Sequence, residues 1–426
     1  MGYQQGLSGL SAASSQLSVI GNNISNSSTV GFKSSDAQFA DLYSSTLYGS
    51  SSLSTGNGSQ LSGVAQNFTA GSITPTGNNL DLAINNNGFF VVRLNADNAA
   101  GQTSSTTSNV TAFTRNGQFS VDSSGYLVSG TSRLQGFPAL NGVVQSGGQL
   151  SDLQVQTAIS APQATSTAAL TVNLNSSSTV PTVTPLSPSN TSSYNWSNST
   201  TVYDSLGNQH NMTMYYVLDS QSATGSQWTA TAYVDGVAAT SPNSTTLNFN
   251  TSGQLTTSAA DPGTLSVSFT PTPTNGSSAP QTLSVNFAGS TQVAQAFATS
   301  SQTVNGYAPG TLSGLNISTD GTIKASYSNG QSTTLGQIAL ATFTNDQGLQ
   351  NLGSNTWQQT SASGQASYNT PGSGVAGTIQ SGALEESNVD VTTELVNMIT
   401  AQRFYQANAQ TIKTEDSIMQ TIMNLS

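Results

Sequence analysis

The sequence contains no cysteine, one histidine and only seven lysines and arginines among 426 residues. Without thiols, neither a disulfide nor a thiolate metal site can hold the fold, so stability must come from burial and assembly. His210 has no second histidine or cysteine to share a metal with, which excludes the common zinc sites. Charged residues make up 6% of the chain, against about a quarter in an ordinary soluble protein. The 18 acids and 7 bases leave a net charge of -11 with no basic cluster, so the reading calls for no nucleic acid partner and no membrane insertion. No stretch approaches the roughly 20 apolar residues that span a bilayer. The first base is Lys33 and no early run of about seven apolar residues precedes it, so no cleaved secretory signal is expected. Scarce charge, missing cysteine and missing signal together point to export by another route.

What fills the chain instead is Ser, Thr, Asn, Gly and Gln between short apolar runs. Two segments carry a repeat of seven. Tyr3, Leu10, Leu17 and Ile24 form one stripe, with Leu7 and Ala13 or Ser14 beside it. Near the other end Val391, Met398, Tyr405, Ile412 and Met419 form a second, with Leu395, Ala409 and Met423 at the +4 positions. These spacings predict two long terminal helices with coiled-coil seams. Gly21, Gln402 and Asp416 interrupt the companion positions, so each helix needs a partner. Ser387 followed by Asp390 approximates a capping box ahead of Val391, and the acids Glu385, Glu386, Asp390 and Glu394 favour the positive helix end.

Between the helices the period changes to two, as in Met212, Met214, Tyr216 and Leu218 or Ile338, Leu340 and Thr342. Asn-Gly pairs at 57, 87, 116, 141, 275, 305 and 329 and Asp-Gly pairs at 235 and 320 supply the positive backbone dihedrals of tight hairpins. Segments 97–109, 175–200 and 270–282 read as loops. The fold class is therefore mainly β with terminal α-helices: two antiparallel β domains nested inside a helical coiled-coil terminal domain. The expected parts are 1–30 with 388–426 as the terminal domain and 31–70 with 367–387 as connecting segments. Residues 71–145 with 291–366 form an inner β domain, and 146–290 an inserted outer one.

No catalytic constellation stands out. Asp204 and His210 lie in turn-forming sequence, and no Gly-x-Ser-x-Gly elbow accompanies them. The carboxylate pairs Glu385-Glu386 and Glu415-Asp416 read as solvated helix faces, and the glycines form no phosphate or dinucleotide loop. No catalytic residue, cofactor or metal is expected, and the chain is read as a non-enzyme.

Several runs resemble one family. Gly21-Asn22-Asn23-Ile24-Ser25-Asn26 with Thr29-Val30-Gly31-Phe32-Lys33 is similar to the N-terminal signature of flagellar rod and hook proteins, with Ser25 where Ala is usual. Leu80–Asn85 leading to Gly88-Phe89-Phe90, Thr114-Arg115-Asn116-Gly117 and Leu134–Pro138 continue the resemblance. So do Ser381–Asp390, with Asn388 and Val389, then Glu394-Leu395-Val396, Ala401-Gln402-Arg403, Tyr405, Asn408-Ala409 and Thr411–Thr414. Rod proteins share both ends. The insert with Val202–Asn208, and Gly6–Leu10 with Ala12-Ala13, resemble the hook members instead.

That resemblance implies a structural subunit that polymerises into a curved, flexible tube carrying motor torque from rod to filament. It implies extracellular localisation on the flagellum and terminal helices lining an export channel. The implied partners are further copies of the chain, the distal rod protein, the hook cap, the hook-filament junction protein, the hook-length control protein and the flagellar type III export apparatus. A distal rod-type axial protein and a non-flagellar β fibre or adhesin are the alternatives. Subunit contacts are expected at Leu10, Leu17, Ile24, Val391, Leu395, Met398, Tyr405, Ala409, Ile412 and Met419.

Overall fold

The computed structural model describes residues 2–41, 58–94, 110–155, 159–257, 263–271 and 276–425; the loop expected at 97–109, part of that at 270–282 and the turns at Asn57 and Asn275 lie outside or partly outside them. The chain is mainly β with a long helix at each end, α1 (Gly2–Ser25) and α2 (Val391–Leu425). At about 1.5 Å per residue these run to roughly 36 and 52 Å. Two compact units emerge: Met1–Thr157 with Ser313–Ser326 and Ser332–Ser426, and Ala158–Leu312 with Tyr327–Gln331.

In the first unit, strands Phe89–Leu94, Val110–Thr114 and Ser132–Leu140 form the middle of a large sheet, extended by Ser332–Ile338 and Leu340–Thr342. Its core gathers Phe89, Phe113, Phe137 and Trp357, with Phe68 and Phe343 against them. The rings meet edge to face, Phe89 and Trp357 at 5.7 Å and Phe113 and Phe343 at 4.8 Å, the arrangement that ring quadrupoles favour. The alternation expected at Ile338, Leu340 and Thr342 is absent from the burial, because residues 338–342 are buried without interruption. That segment is covered on both faces. Residues 35–66, expected as a plain connection, contain an antiparallel pair, Ser35–Asp41 with Ser59–Gln66, bulged at Gln38/Phe39.

The second unit holds two sheets around one core. Gln209–Ser222 turns Met212, Met214, Tyr216 and Leu218 inward, each essentially without exposure, while Thr213, Tyr215 and Val217 alternate outward. Trp228, Leu247, Phe249, Leu265, Leu283 and Phe287 complete that core. The strictly antiparallel expectation fails here. Thr167–Asn175 pairs in parallel with Gln281–Asn286 and Thr291–Val293, and antiparallel with Ala298–Val304. Parallel neighbours need a long connection, and the whole second sheet supplies it. Between the two parallel stretches the ladder breaks, and Ser290 Oγ accepts the freed Val172 N–H at 3.1 Å.

Those pairings also move the expected boundaries. Residues 291–304 are hydrogen-bonded into the second unit, so the chain returns to the first at Ser313 and not at 291. Ser151–Asp152 pairs with Ser132–Leu140, so the departure comes at 158 and not at 146. Loop composition marks where a chain turns; it does not mark where it changes partner.

Asn141-Gly142 and Asp235-Gly236 form the two-residue hairpins the sequence announces, with φ values of 51° and 77° and of 51° and 78°. At Asn116-Gly117 the reason for glycine differs. A Cβ on Gly117 would lie 1.6 Å from the Leu82 carbonyl oxygen, so the residue admits a neighbouring strand.

Burial pushes the Tyr216 phenol far above its ordinary value of 10.0. An unfolded chain loses that proton near pH 10 while the folded one keeps it, so stability contributed by this group falls as pH rises above 10. Denaturant midpoints of the second unit are expected to drop between pH 9 and 11, and Tyr216→Phe is expected to flatten that slope; an unchanged slope would contradict the assignment.

Candidate assembly surface and its buried anchor

Glu385 is the last residue of a short strand, Ala383–Glu385, that pairs with Ile73–Pro75. Its side chain is wholly buried. Oε1 accepts from Lys33 Nζ at 2.5 Å and from the Gly71 N–H at 3.0 Å, and Oε2 accepts from Arg115 Nη1 at 3.0 Å. Lys33 Nζ donates in addition to the Thr69 carbonyl at 2.7 Å, and Arg115 Nη2 to the Asn86 carbonyl at 2.9 Å. One carboxylate thus joins residues from 33, 71, 115 and 385. Burial holds the Lys33 ammonium below its ordinary range; Glu385 pulls it back up and Arg115 pushes it further down.

Of the expected signature residues, Lys33, Gly31 and Asn388 meet at or beside this anchor. Gly31 has φ +68° and its N–H donates to the Glu385 carbonyl at 2.8 Å. A Cβ there would meet the Arg115 backbone at 2.7 Å, so only glycine fits. Asn388 Oδ1 accepts the Ser34 N–H at 2.7 Å, its Nδ2 donates to the Asn67 carbonyl at 2.8 Å, and its own N–H reaches the Phe32 carbonyl. Asn26 Nδ2 folds back to Asn22 Oδ1 at 2.7 Å and closes the end of α1. Val389 is half-buried, and its N–H donates to Ser387 Oγ.

Asn23 carries the link to the helices. It exchanges hydrogen bonds with the Ser35 backbone at 3.0 and 2.9 Å, and its Nδ2 also donates to Glu394 Oε1 at 2.9 Å. With Asn23 beside Glu394 and Gly6 beside Ile412, α1 and α2 run antiparallel. Their closest line is not the expected stripe. Gly6, Ala13 and Ile20, also spaced by seven, are the buried residues of α1, with Asn23. A Cβ on Gly6 would stand 3.0 Å from Ile412, and one on Gly9 would overlap Asn408. Small residues bring the axes together. Leu10, Leu17 and Ile24 flank this line half-buried.

On α2 the packed face runs through Glu394, Met398, Ala401, Asn408, Ala409 and Ile412. Ala401 stands at +3 from Met398, while both Asn408 at +3 and the expected Ala409 at +4 from Tyr405 are half-buried. Val391, Leu395, Tyr405 and Met419 are exposed. So are Val396, Ile399, Phe404, Ile418 and Met423, of which Ile399 is 52% and Met423 66% exposed. The helix therefore has two roles: one side holds α1, and the rest offers bare apolar area. The helix start also differs from expectation. Asp390 is the cap, accepting the Thr392 N–H at 2.9 Å and the Thr393 N–H at 3.4 Å; the Thr393 hydroxyl, donating to Oδ2 at 2.8 Å, and those two N–H groups hold its carboxyl below the usual range.

Glu385, expected on a solvated helix face, is buried on its two cations, and Glu394, in the first turn of α2 as expected, is buried on Asn23. Glu386 does stay exposed, accepting from Ser72 and Thr74 hydroxyls. The available signal was scarcity, since every charge in so neutral a chain carries information. In the second unit His210 follows a turn in which Asp204 Oδ1 accepts the Leu206 and Asn208 N–H groups. Its Nδ1 lies 2.6 Å from Asp235 Oδ2 and its Nε2 3.6 Å from Asp204 Oδ2. Among the described residues no cluster of three His, Cys, Asp or Glu side chains could hold a metal ion, and no helix is long and apolar enough to cross a membrane.

Removing one partner of a buried ion pair leaves the other charge unmet, at a cost of about 3–5 kcal/mol. Glu385→Ala strands two cations and is expected to lower the unfolding free energy of the first unit by that amount. Lys33→Met, which leaves Glu385 its Arg115, is expected to cost clearly less. Equal losses in urea titrations would refute the central place given to the carboxylate.

Three family models match this chain: the flagella basal body rod protein over residues 4–33, the flagellar basal body protein FlaE D2 domain over 173–307, and the flagellar basal body rod FlgEFG protein C-terminal over 380–425. The flagellar hook protein FlgE of Escherichia coli K12 is 42% identical over 429 residues, covering 100% of both chains. That of Treponema pallidum is 31% identical, covering 99% of this chain and 98% of its own. Among solved structures, the Helicobacter pylori flagellar hook protein FlgE2 superposes with a TM-score of 0.51 at 15% identity, covering 72% of this chain and 99% of that one. With relatives this similar along their whole length, and with terminal signatures that meet on one buried carboxylate, the chain belongs to the flagellar hook protein family.

Proposed function

We propose that the bare face of α2 is the surface through which copies of this chain join into the hook polymer. The observation that carries the reading is the row Val391, Leu395, Val396, Ile399 and Phe404, all exposed on a helix whose opposite side is already filled by α1. Fully burying one such side chain is worth about 1.5–3 kcal/mol, which offsets the about 1–2 kcal/mol of backbone freedom lost by one ordered residue. The α1–α2 pair forms the helical terminal domain that lines the tube. Leu10, Leu17 and Ile24, half-buried beside the α1 line, complete the contact from the other helix.

This role is structural, with no catalytic residue assigned. The polymer forms on the distal rod protein, ends at the hook cap and then the hook-filament junction protein, and reaches a length set by the hook-length control protein. Passage as an unfolded chain through the flagellar type III apparatus suits a protein free of disulfides. Bending requires subunits to slide, and nearly uncharged Ser/Asn/Thr-rich β surfaces exchange small polar contacts with water at about 0.5–1.5 kcal/mol each.

The seam is tested by comparing two substitutions. Leu395→Asp, on the bare face, is expected to leave the monomer's circular dichroism and melting unchanged while abolishing hook formation in electron micrographs. Ile412→Asp sits against Gly6 and is expected to disturb the α1–α2 pair in the monomer as well. Normal hooks from the Leu395→Asp variant would overturn the proposal.

A further inference from the structure

Sulfur in this chain is confined to six methionines, because cysteine is missing. Their surroundings differ. Met212 and Met214 are wholly buried in the core of the second unit, and Met398 is half-buried on the packed face of α2. Met419 and Met423, in the last two turns of α2, are 59% and 66% exposed. Among the described residues these two are the bare sulfurs.

Both stand on the line that α2 turns toward α1. Met398, Tyr405, Ile412 and Met419 repeat every seven residues, and Met423 follows Met419 at +4. Ile412 is covered by Gly6 in the opening turns of α1, and one repeat further on the same line emerges exposed at Met419. The two thioethers thus form an apolar end to the seam, open to a second copy of the chain. A thioether is flexible and polarisable and fills irregular apolar gaps. Its sulfoxide is polar and chiral and disrupts a methionine-lined interface, because burying the new oxygen strips it of water.

We propose that Met419 and Met423 form a redox-sensitive latch on assembly: peroxide oxidises both in the free subunit, the sulfoxides keep the next copy from covering the end of α2, and reduction restores it. The latch rests on the reading of α2 as the assembly surface. The step is a two-electron oxygen transfer. A sulfur lone pair attacks one oxygen of hydrogen peroxide, the S–O bond forms as the O–O bond breaks, and the departing hydroxide takes the remaining proton to leave as water. Reversal needs a dithiol, acting through methionine sulfoxide reductase; the sulfoxide oxygen leaves as water while the dithiol closes to a disulfide. Once a neighbour covers the seam the sulfurs are shielded, so the latch acts on the subunit before it joins.

The test treats purified full-length protein with hydrogen peroxide, maps the product by peptide mass spectrometry, and reads the critical concentration for polymerisation by sedimentation. One added oxygen is expected at Met419 and at Met423 before either Met212 or Met214 reacts. The critical concentration of the oxidised chain is expected to rise about tenfold, and the reductase is expected to return it to its starting value. Within Met419→Leu/Met423→Leu, which keeps the other methionines, peroxide is expected to leave the critical concentration where it stood before treatment. Unchanged assembly of a chain carrying both sulfoxides, or an equal loss in the leucine variant, overturns the latch. Leu395→Asp separates the two readings. If that variant assembles normally, the assembly surface itself is wrong; if it fails while the sulfoxide protein assembles, the latch alone falls.

Discussion

The carboxylate of Glu385 ties the first unit together. It stands 352 residues from Lys33 and 270 from Arg115 in sequence, yet touches both. A buried charge is costly unless its lone pairs are met, and here Lys33, Arg115 and the Gly71 N–H meet them. That requirement fixes the local backbone: Gly31 must approach without a side chain, and Asn388 must hold Ser34 and Asn67 from the other chain end. The polar anchor fixes which segments meet, whereas the aromatic core around Phe89, Phe113 and Trp357 buries apolar side chains in the same unit.

From the anchor, Asn23 and Glu394 pass the order on to the helices. Their hydrogen bond starts the antiparallel pairing, and Gly6, Gly9 and Ala13 let it continue at close range. Because α1 has 24 residues and α2 has 35, the end of α2 carrying Ile418, Met419 and Met423 runs on past its partner. A monomer built this way is complete in its β units and unfinished along one helix.

Much of this was legible in the residues. The repeat of seven located both helices, alternation located Gln209–Ser222, and Asn141-Gly142 and Asp235-Gly236 announced their turns. The heptad register was not legible, because Leu10 and Leu17 outweigh Gly6 and Ala13 in any count of apolar residues while the smaller side chains allow closer contact. Glu385 was misread for a related reason. A glutamate beside a helix start ordinarily faces water, and only the distant Lys33 and Arg115 make burial tolerable. The parallel pairing of Thr167–Asn175 with Gln281–Asn286 was also out of reach, since nothing local in either strand reports a neighbour over a hundred residues away.

Hydrogen–deuterium exchange on monomer and on polymerised hooks tests the central claim most directly. If copies cover the bare face of α2, amides from 391 to 425 exchange readily in the monomer and become strongly protected in the polymer, while the strands around Met214 and Trp228 stay protected in both. Equal protection of α2 in the two states would contradict the account.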